Sequence, residues 1–440
     1  MESLKINKAE ILKSFNENKE WLEKRNAEGI EKYRKGDFVI KFSNDGKKKV
    51  TVKQTKHKFL FGCNAFMLNS FEKAEKEPIY KEKFAQIFNQ AVVPFYWSDL
   101  EPEEGKLRFH KDSENIYRRP APDIVLDFCK EYEIEPKGHC LVWNHFTPQW
   151  LEKYSKEERK TVLEKRFKEI SQEYADKIPS FDIVNEAASN YRRGKEAFFD
   201  NYDEYALALG GKYFPNNRKI LNETNEAIWR DYRTEGKYMA FNMQLKEFTA
   251  KGLPIDEIGL QYHIFTTCEK LEELFDFREA YLNAKFILEI LDIYDEYNYP
   301  MHISEITIPG NEQKIENEEL QAEIAELLYT TWFATRNMKS IVWWNLVDGY
   351  GAGAPLGTND GENVYGGGLL RFDMSEKPVY KTLDRLINQD WHTSFEKEID
   401  GDELSFRGFY GEYEIKIESE TGCVTKRVKF HENGAVERVE

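Results

Sequence analysis

The sequence predicts an α/β fold: a (β/α)8 barrel with a small additional β module made from the N- and C-terminal segments. Two observations predict the barrel. Eight short runs of β-branched, aromatic and aliphatic residues recur between about residues 59 and 344, separated by segments of helical period. Polar residues collect where several of those runs stop, as they do at the C-terminal ends of barrel strands. A third observation predicts the module: on both flanks of this region apolar residues alternate at period two. The divisions read as residues 1–58 for an N-terminal helix and hairpin, 59–389 for the barrel, and 390–440 for a β tail pairing with 37–56.

Residues 1 to about 35 carry Ile11, Leu12, Phe15, Trp21 and Leu22 among Lys and Glu, the pattern of an amphipathic surface helix. Phe38–Phe42 and Val50–Gln54, joined through Asn44-Asp-Gly-Lys, predict a β-hairpin. The eight barrel strands are predicted at Phe59–Cys63, Gln90–Pro94, Lys137–Trp143, Phe181–Asn185, Lys219–Asn222, Ile258–His263, Met301–Glu305 and Ser340–Trp344. Helices are expected at Ala121–Tyr132, Arg159–Lys177 and Leu320–Arg336, with closure near Tyr380–Ile387. After Asp390, Leu404–Ile417 and Val424–Phe430 alternate about a turn at Thr421-Gly422. So short a meander makes no stable sheet alone, so it is expected to pair with the 38–54 segment.

The chemistry-bearing stretch is Ser180-Phe-Asp-Ile-Val-Asn-Glu-Ala-Ala188, an apolar strand ending in Asn185 and Glu186. A carboxylate there needs a reason, because an unpaired buried charge is costly. Glu305 sits late in another apolar strand, Met-His-Ile-Ser-Glu. The two strands are fourth and seventh in a ring of eight, so their ends nearly face each other. Two carboxylates so placed suit cleavage of a glycosidic bond, one as general acid and one as nucleophile, with a gap of about 5–5.5 Å for retention and about 6.5–9.5 Å for inversion. Around them the strand ends offer His139, Trp143 and Asn144 on the third, Asn222 and Asn225 on the fifth, Gln261 and His263 on the sixth, and Trp344 and Asp348 on the eighth. His263, on the strand beside Glu305, is expected to hold that carboxylate in its ionised form. Burial and the Glu305 charge are expected to keep Glu186 protonated. Asn185 offers an amide to a sugar hydroxyl, provided the strand bends so that it and Glu186 share one side. No HxH or HExxH spacing occurs, and nothing among these residues supports a metal.

A net charge of −16 disfavours nucleic acid and anionic membranes as partners and leaves a neutral polymer as the better one. Aromatics, 14% of residues, suit stacking on sugar rings, although most such residues fill cores. No apolar run of spanning length occurs. Five cysteines without CxxC spacing read as free thiols, and the first residues contain no apolar leader core, so a cytoplasmic location is expected.

These residues resemble glycoside hydrolase family 10, whose best-known members are endo-β-1,4-xylanases. Gly138-His-Cys-Leu-Val-Trp143, Phe181-Asp-Ile-Val-Asn-Glu-Ala187, Gly259-Leu-Gln-Tyr-His263, Ile303-Ser-Glu305, Trp344-Asn-Leu-Val-Asp348 and Leu370-Arg-Phe-Asp373 carry the likeness, over about Phe59 to Ile387. The resemblance implies a retaining double displacement without cofactor or metal, Glu186 as acid/base and Glu305 as nucleophile. It departs at three places. Val92-Val-Pro-Phe-Tyr-Trp97 stands where the family usually has a Glu-Asn pair and a Lys, putting Tyr96 at the sugar site. Asn144 replaces a usual His, and Gly349-Tyr-Gly-Ala-Gly353 replaces a usual Trp. The expected substrate is xylan or xylo-oligosaccharide. A glycoside with a bulky aglycone, as in tomatinase-like members, and a non-catalytic carbohydrate-binding barrel are the alternatives.

Overall fold

In the computed structural model, the described residues are 7–43, 45–229, 236–273, 279–311, 314–420 and 422–439. Eight parallel strands close a barrel: β3 (Leu60–Asn64), β4 (Gln90–Pro94), β5 (Glu135–His139), β6 (Ser180–Asn185), β7 (Arg218–Glu223), β8 (Glu257–His263), β9 (Met301–Thr307) and β10 (Met338–Trp343). Pairing of Ser340–Trp343 with Leu60–Cys63 completes the ring. Strands β3, β4, β6, β8 and β9 are buried along their whole length, which explains their near-continuous apolar sequence. The fifth barrel strand, with the shortest apolar run, is six residues long and paired on both sides. The third stops at His139, short of Trp143; beyond it the chain keeps a few bonds to β6, from Leu141 N to Asp182 O and between Val142 and its neighbours Ile183 and Asn185. Helices at Pro122–Glu131, Lys156–Tyr174 and Ile315–Phe333 match the three predicted ones within a turn or so.

The remaining strands are β1 (Lys35–Phe42), β2 (Lys47–His57), β11 (Ser394–Asp400), β12 (Glu403–Phe409), β13 (Gly411–Ser419), β14 (Gly422–Phe430) and β15 (Val436–Val439). They form two sheets, ordered β12-β1-β15 and β11-β2-β13-β14, so the tail does pair with the N-terminal segment. The predicted hairpin is corrected: β1 and β2 lie in different sheets. β1 pairs with β12, Phe38 opposite Phe406, while β2 pairs with β11 and β13, Val52 opposite Phe395 and Ile415. Between β1 and β2 the chain passes from one sheet to the other, and Gly46 O accepts from Gly401 N of the equivalent crossing between β11 and β12. This lets the apolar faces of the two sheets cover each other around Phe38, Ile40, Val50, Val52, Tyr413, Ile415 and Phe430, with Phe38 stacked on Phe430 at 4.5 Å. Asn44 and Thr421, placed in the predicted turns, lie outside the described residues.

The N-terminal helix is three pieces, Lys8–Ile11, Lys13–Glu17 and Lys19–Tyr33. Ile11, Leu12, Phe15 and Leu22 are buried, but Trp21 is 47% exposed, one residue round from the apolar stripe. Trp391 joins module to barrel. Its ring stacks on Phe333 at 4.2 Å and faces Phe61, at the start of the strands and so at the end opposite the polar strand termini. Four cysteines are buried and Cys423 is exposed, none in a disulfide. Among the described residues no helix is long and apolar enough to cross a membrane.

Candidate active site

Glu186 follows the last residue of β6 with φ 56° and ψ 38°. This left-handed backbone, costly for a side chain larger than glycine, is the bend the sequence required. It turns Asn185 and Glu186 toward one set of partners. On β9, a register shift in the pairing with β8 sets Glu305 opposite Gln261.

Gln261 then ties the centre together. Its Nε2 donates to Glu186 Oε1 at 3.0 Å and to Glu305 Oε1 at 3.1 Å. Two oxygens that share one nitrogen at those distances are at most about 6 Å apart, short of the range for inversion and compatible with retention. Glu305 also accepts from Asn222 Nδ2 at 3.0 Å, and His263 Nε2 lies 3.1 Å from its Oε2. Burial holds His263 near pKa 4, so the ring is neutral. One tautomer satisfies its contacts: Nε2–H donates to Glu305, and Nδ1 accepts from the Thr307 hydroxyl at 2.8 Å. Glu186 accepts from the Trp143 indole at 3.1 Å and, more weakly, from Asn190 at 3.4 Å.

Burial pushes both glutamates up to about 7. Their charged surroundings separate them. Glu186 feels only carboxylates, Glu305 first and then Glu226, whereas Glu305 has His139 and Lys137 against Asp182. The proton therefore resides on Glu186 and the charge on Glu305. Behind Glu305 runs a buried chain: Lys137 Nζ lies 3.0 Å from Asp182, Asp182 lies 2.7 Å from His139 Nδ1, and His139 Nε2 lies 3.8 Å from Glu305. Burial opposes ionisation of Asp182, but Lys137 and His139 hold its carboxyl below the ordinary value.

Residues 51–359 match the family described as Glycosyl hydrolase family 10. The chain belongs to that family. Endo-1,4-beta-xylanase B of Neocallimastix patriciarum is 24% identical over 296 residues, covering 64% of this chain and 30% of that protein. Endo-1,4-beta-xylanase 3 of Arabidopsis thaliana is 23% identical over 416 residues, 90% of this chain and 48% of that protein. The chain thus spans less than half the length of these two relatives. In fold it is similar to xylanase 10B of Thermotoga petrophila, solved with xylobiose, at TM-score 0.58 and 22% identity over 76% of this chain and 95% of that one.

Against the family's pattern, the site residues fall into two groups. Glu186, Glu305, Asn185, Gln261, His263, His139 and Trp143 converge. Trp344 floors them, edge-on to His139 at 5.5 Å and His263 at 6.0 Å. Tyr96, edge-on to His139 at 5.4 Å, stacks on Phe146 at 4.4 Å and lies under the Arg119 guanidinium at 4.2 Å. The departure from the family motif has thus built an aromatic wall. Asn225 and Asn144 stand apart. The Asn225 amide is spent on both polar groups of the His263 peptide, at 2.7 and 2.9 Å. Asn144 lines a side cavity with Thr147, Gln149 and Arg193. In the glycine-rich loop, Tyr350 turns inward onto Phe372. Farther along the same loop, Tyr365 stacks on Phe265, 42% exposed, which stacks on His263 at 4.5 Å.

Sequence reasoning named Asn222 and Asn225 alike, and of the two Asn222 is the one that reaches Glu305. The signal for Asn222 was Gly259 on the next strand, where a Cβ would meet Asn222 Oδ1 at 2.1 Å. Lys137 and Asp182 passed as ordinary strand residues, although two opposite charges on neighbouring buried strands imply a pair.

Proposed function

We propose that the protein is a retaining glycoside hydrolase cleaving β-1,4-linked xylan or xylo-oligosaccharides by double displacement. The shared Gln261 amide, which limits the carboxylate gap to about 6 Å, is the observation that carries the reading. Glu305 attacks the anomeric carbon as Glu186 gives its proton to the departing oxygen, and the glycosidic C–O bond breaks. Water then adds to the same carbon, its proton passes to Glu186, and the Glu305 ester bond breaks to release the sugar with its original anomeric configuration. His263 and Asn222 position Glu305, and Trp143 and Gln261 position Glu186. Asn185 Nδ2, buried with no protein partner among the described residues, is the donor for the sugar 2-hydroxyl. Trp344 and Tyr96 supply apolar faces to the ring. The terminal module, docked at the opposite end through Trp391, braces the barrel.

Trapping with a 2-deoxy-2-fluoro-β-xylobiosyl donor tests this. A mass increase on the peptide bearing Glu305, and release of β-anomer from xylo-oligosaccharides by NMR, are expected. A label elsewhere, or initial release of α-anomer, rejects the mechanism. Trapping by cellobiosyl or saponin substrates alone keeps the mechanism and rejects the sugar.

The raised carboxyls also predict a bell-shaped pH profile of kcat/KM with limbs on either side of about 7. Activity falls on the acid side as Glu305 takes up a proton and on the alkaline side as Glu186 loses its own. A flat profile between about pH 4 and 9 would contradict the assigned protonation states.

A further inference from the structure

The backbone around Glu186 contains an unusual exchange of roles. Residue 186 occupies the cap position before helix Ala187–Ala197. A polar side chain in that place ordinarily turns back to accept the first free N–H groups of its own helix. The Glu186 side chain makes no such bond and points to Gln261 and Trp143 instead. The acceptor comes from the neighbouring strand. Glu223, fully buried at the end of β7, accepts from Ala188 N at 2.7 Å through Oε2, and from the Ser189 hydroxyl at 2.8 Å and Thr224 N at 2.9 Å through Oε1. The β7 backbone adds a fourth contact, with Glu186 N donating to Asn222 O at 3.0 Å. The cap is one turn deep, for the helix kinks at Asn190, φ −118°.

We infer that Glu223 is a positioning residue for Glu186: it caps the helix in place of the acid/base and so keeps the Glu186 carboxyl in the cleft. Without it, the free N–H of Ala188 competes for the Glu186 carboxyl, and the left-handed backbone at 186 loses its anchor. This rests on the reading of Glu186 as general acid.

The test compares kcat/KM on two aryl β-xylobiosides in the parent, Glu223→Gln and Glu223→Ala. Departure of dinitrophenolate needs no proton, whereas departure of phenolate does. Glu223→Ala is expected to lose roughly 10- to 100-fold on the phenyl substrate, part of what a positioned acid supplies, and less than about threefold on the dinitrophenyl one. Glu223→Gln, which keeps one acceptor oxygen, is expected to fall between parent and Ala. The ratio of the two substrates is independent of how much variant is folded, so a general loss of structure does not imitate the effect. Equal losses on both substrates, or none on either, overturn the inference. A parent that hydrolyses neither glycoside overturns the proposed function beneath it.

Discussion

Glu305→Ala is expected to lower kcat/KM on xylo-oligosaccharides by about 10^4-fold or more, with the fold intact. In the proposed mechanism its carboxylate forms the ester intermediate, which the variant cannot make. The Asn222 and Gln261 amides and the His263 ring, which now converge on it at 3.0 to 3.1 Å, are left without that acceptor. Glu305→Gln restores an acceptor and isolates the chemistry from the packing, and it should be as inactive as the alanine variant. Removal of the charge also relieves Glu186, whose carboxyl is raised by burial and then by Glu305. The Glu186 pKa should therefore fall in both variants. Steady-state assays with anomer-resolved NMR and titration of Glu186 by carbon-13 NMR provide the check. Activity within about 100-fold of the parent in either variant would remove Glu305 from the nucleophile's role.

The second large effect is on stability. Lys137 and Asp182 are 1% and 0% exposed, and Asp182 is the sole ion-pair partner of the Lys137 ammonium among the described residues. Asp182→Asn removes one charge and strands the other in the barrel, a change that costs about 3–5 kcal/mol where a buried pair is broken. His139 loses the carboxylate on Nδ1 at the same time, so activity should drop beyond the loss of stability. The pH dependence follows from the depressed Asp182 carboxyl. The parent's stabilisation is fully present above the ordinary aspartate pKa of about 3.9 and is lost only as the pH falls through the lower folded value. Denaturant melts across that window should show this slope in the parent and not in Asp182→Asn. Equal stability of the two proteins at neutral pH would mean that Lys137 finds another partner or is neutral.

The barrel was legible because each buried parallel strand must be apolar on both faces, which leaves a run that periodicity detects, and because polar residues at the ends of such runs are costly without a use. Glu186 and Glu305 stood out on those grounds. What escaped reading was set by tertiary pairing. Phe38–Phe42 and Val50–Gln54 have the pattern of a hairpin, and nothing local reveals that each strand bonds to a different sheet. Asn222 lies at the end of β7 and Asn225 opens the short helix just after it. Three residues along the chain separate one that reaches Glu305 from one that binds a peptide group, and backbone direction decides which is which. Trp21 carries the right side chain for a core but falls off the stripe by one position.

The pairing of β1 bears on how the molecule is made. This strand, among the first forty-odd residues, hydrogen-bonds to Glu403–Phe409 on one edge and to Val436–Val439 on the other. During synthesis both edges of β1 stay open until residues 403–439 have left the ribosome, with Phe38 and Ile40 uncovered for that time. The barrel, whose strands pair with neighbours in sequence except at the closing seam, can assemble earlier. Folding of the module therefore waits on Val436–Val439, and deletion of that strand would leave one edge of β1 unpaired.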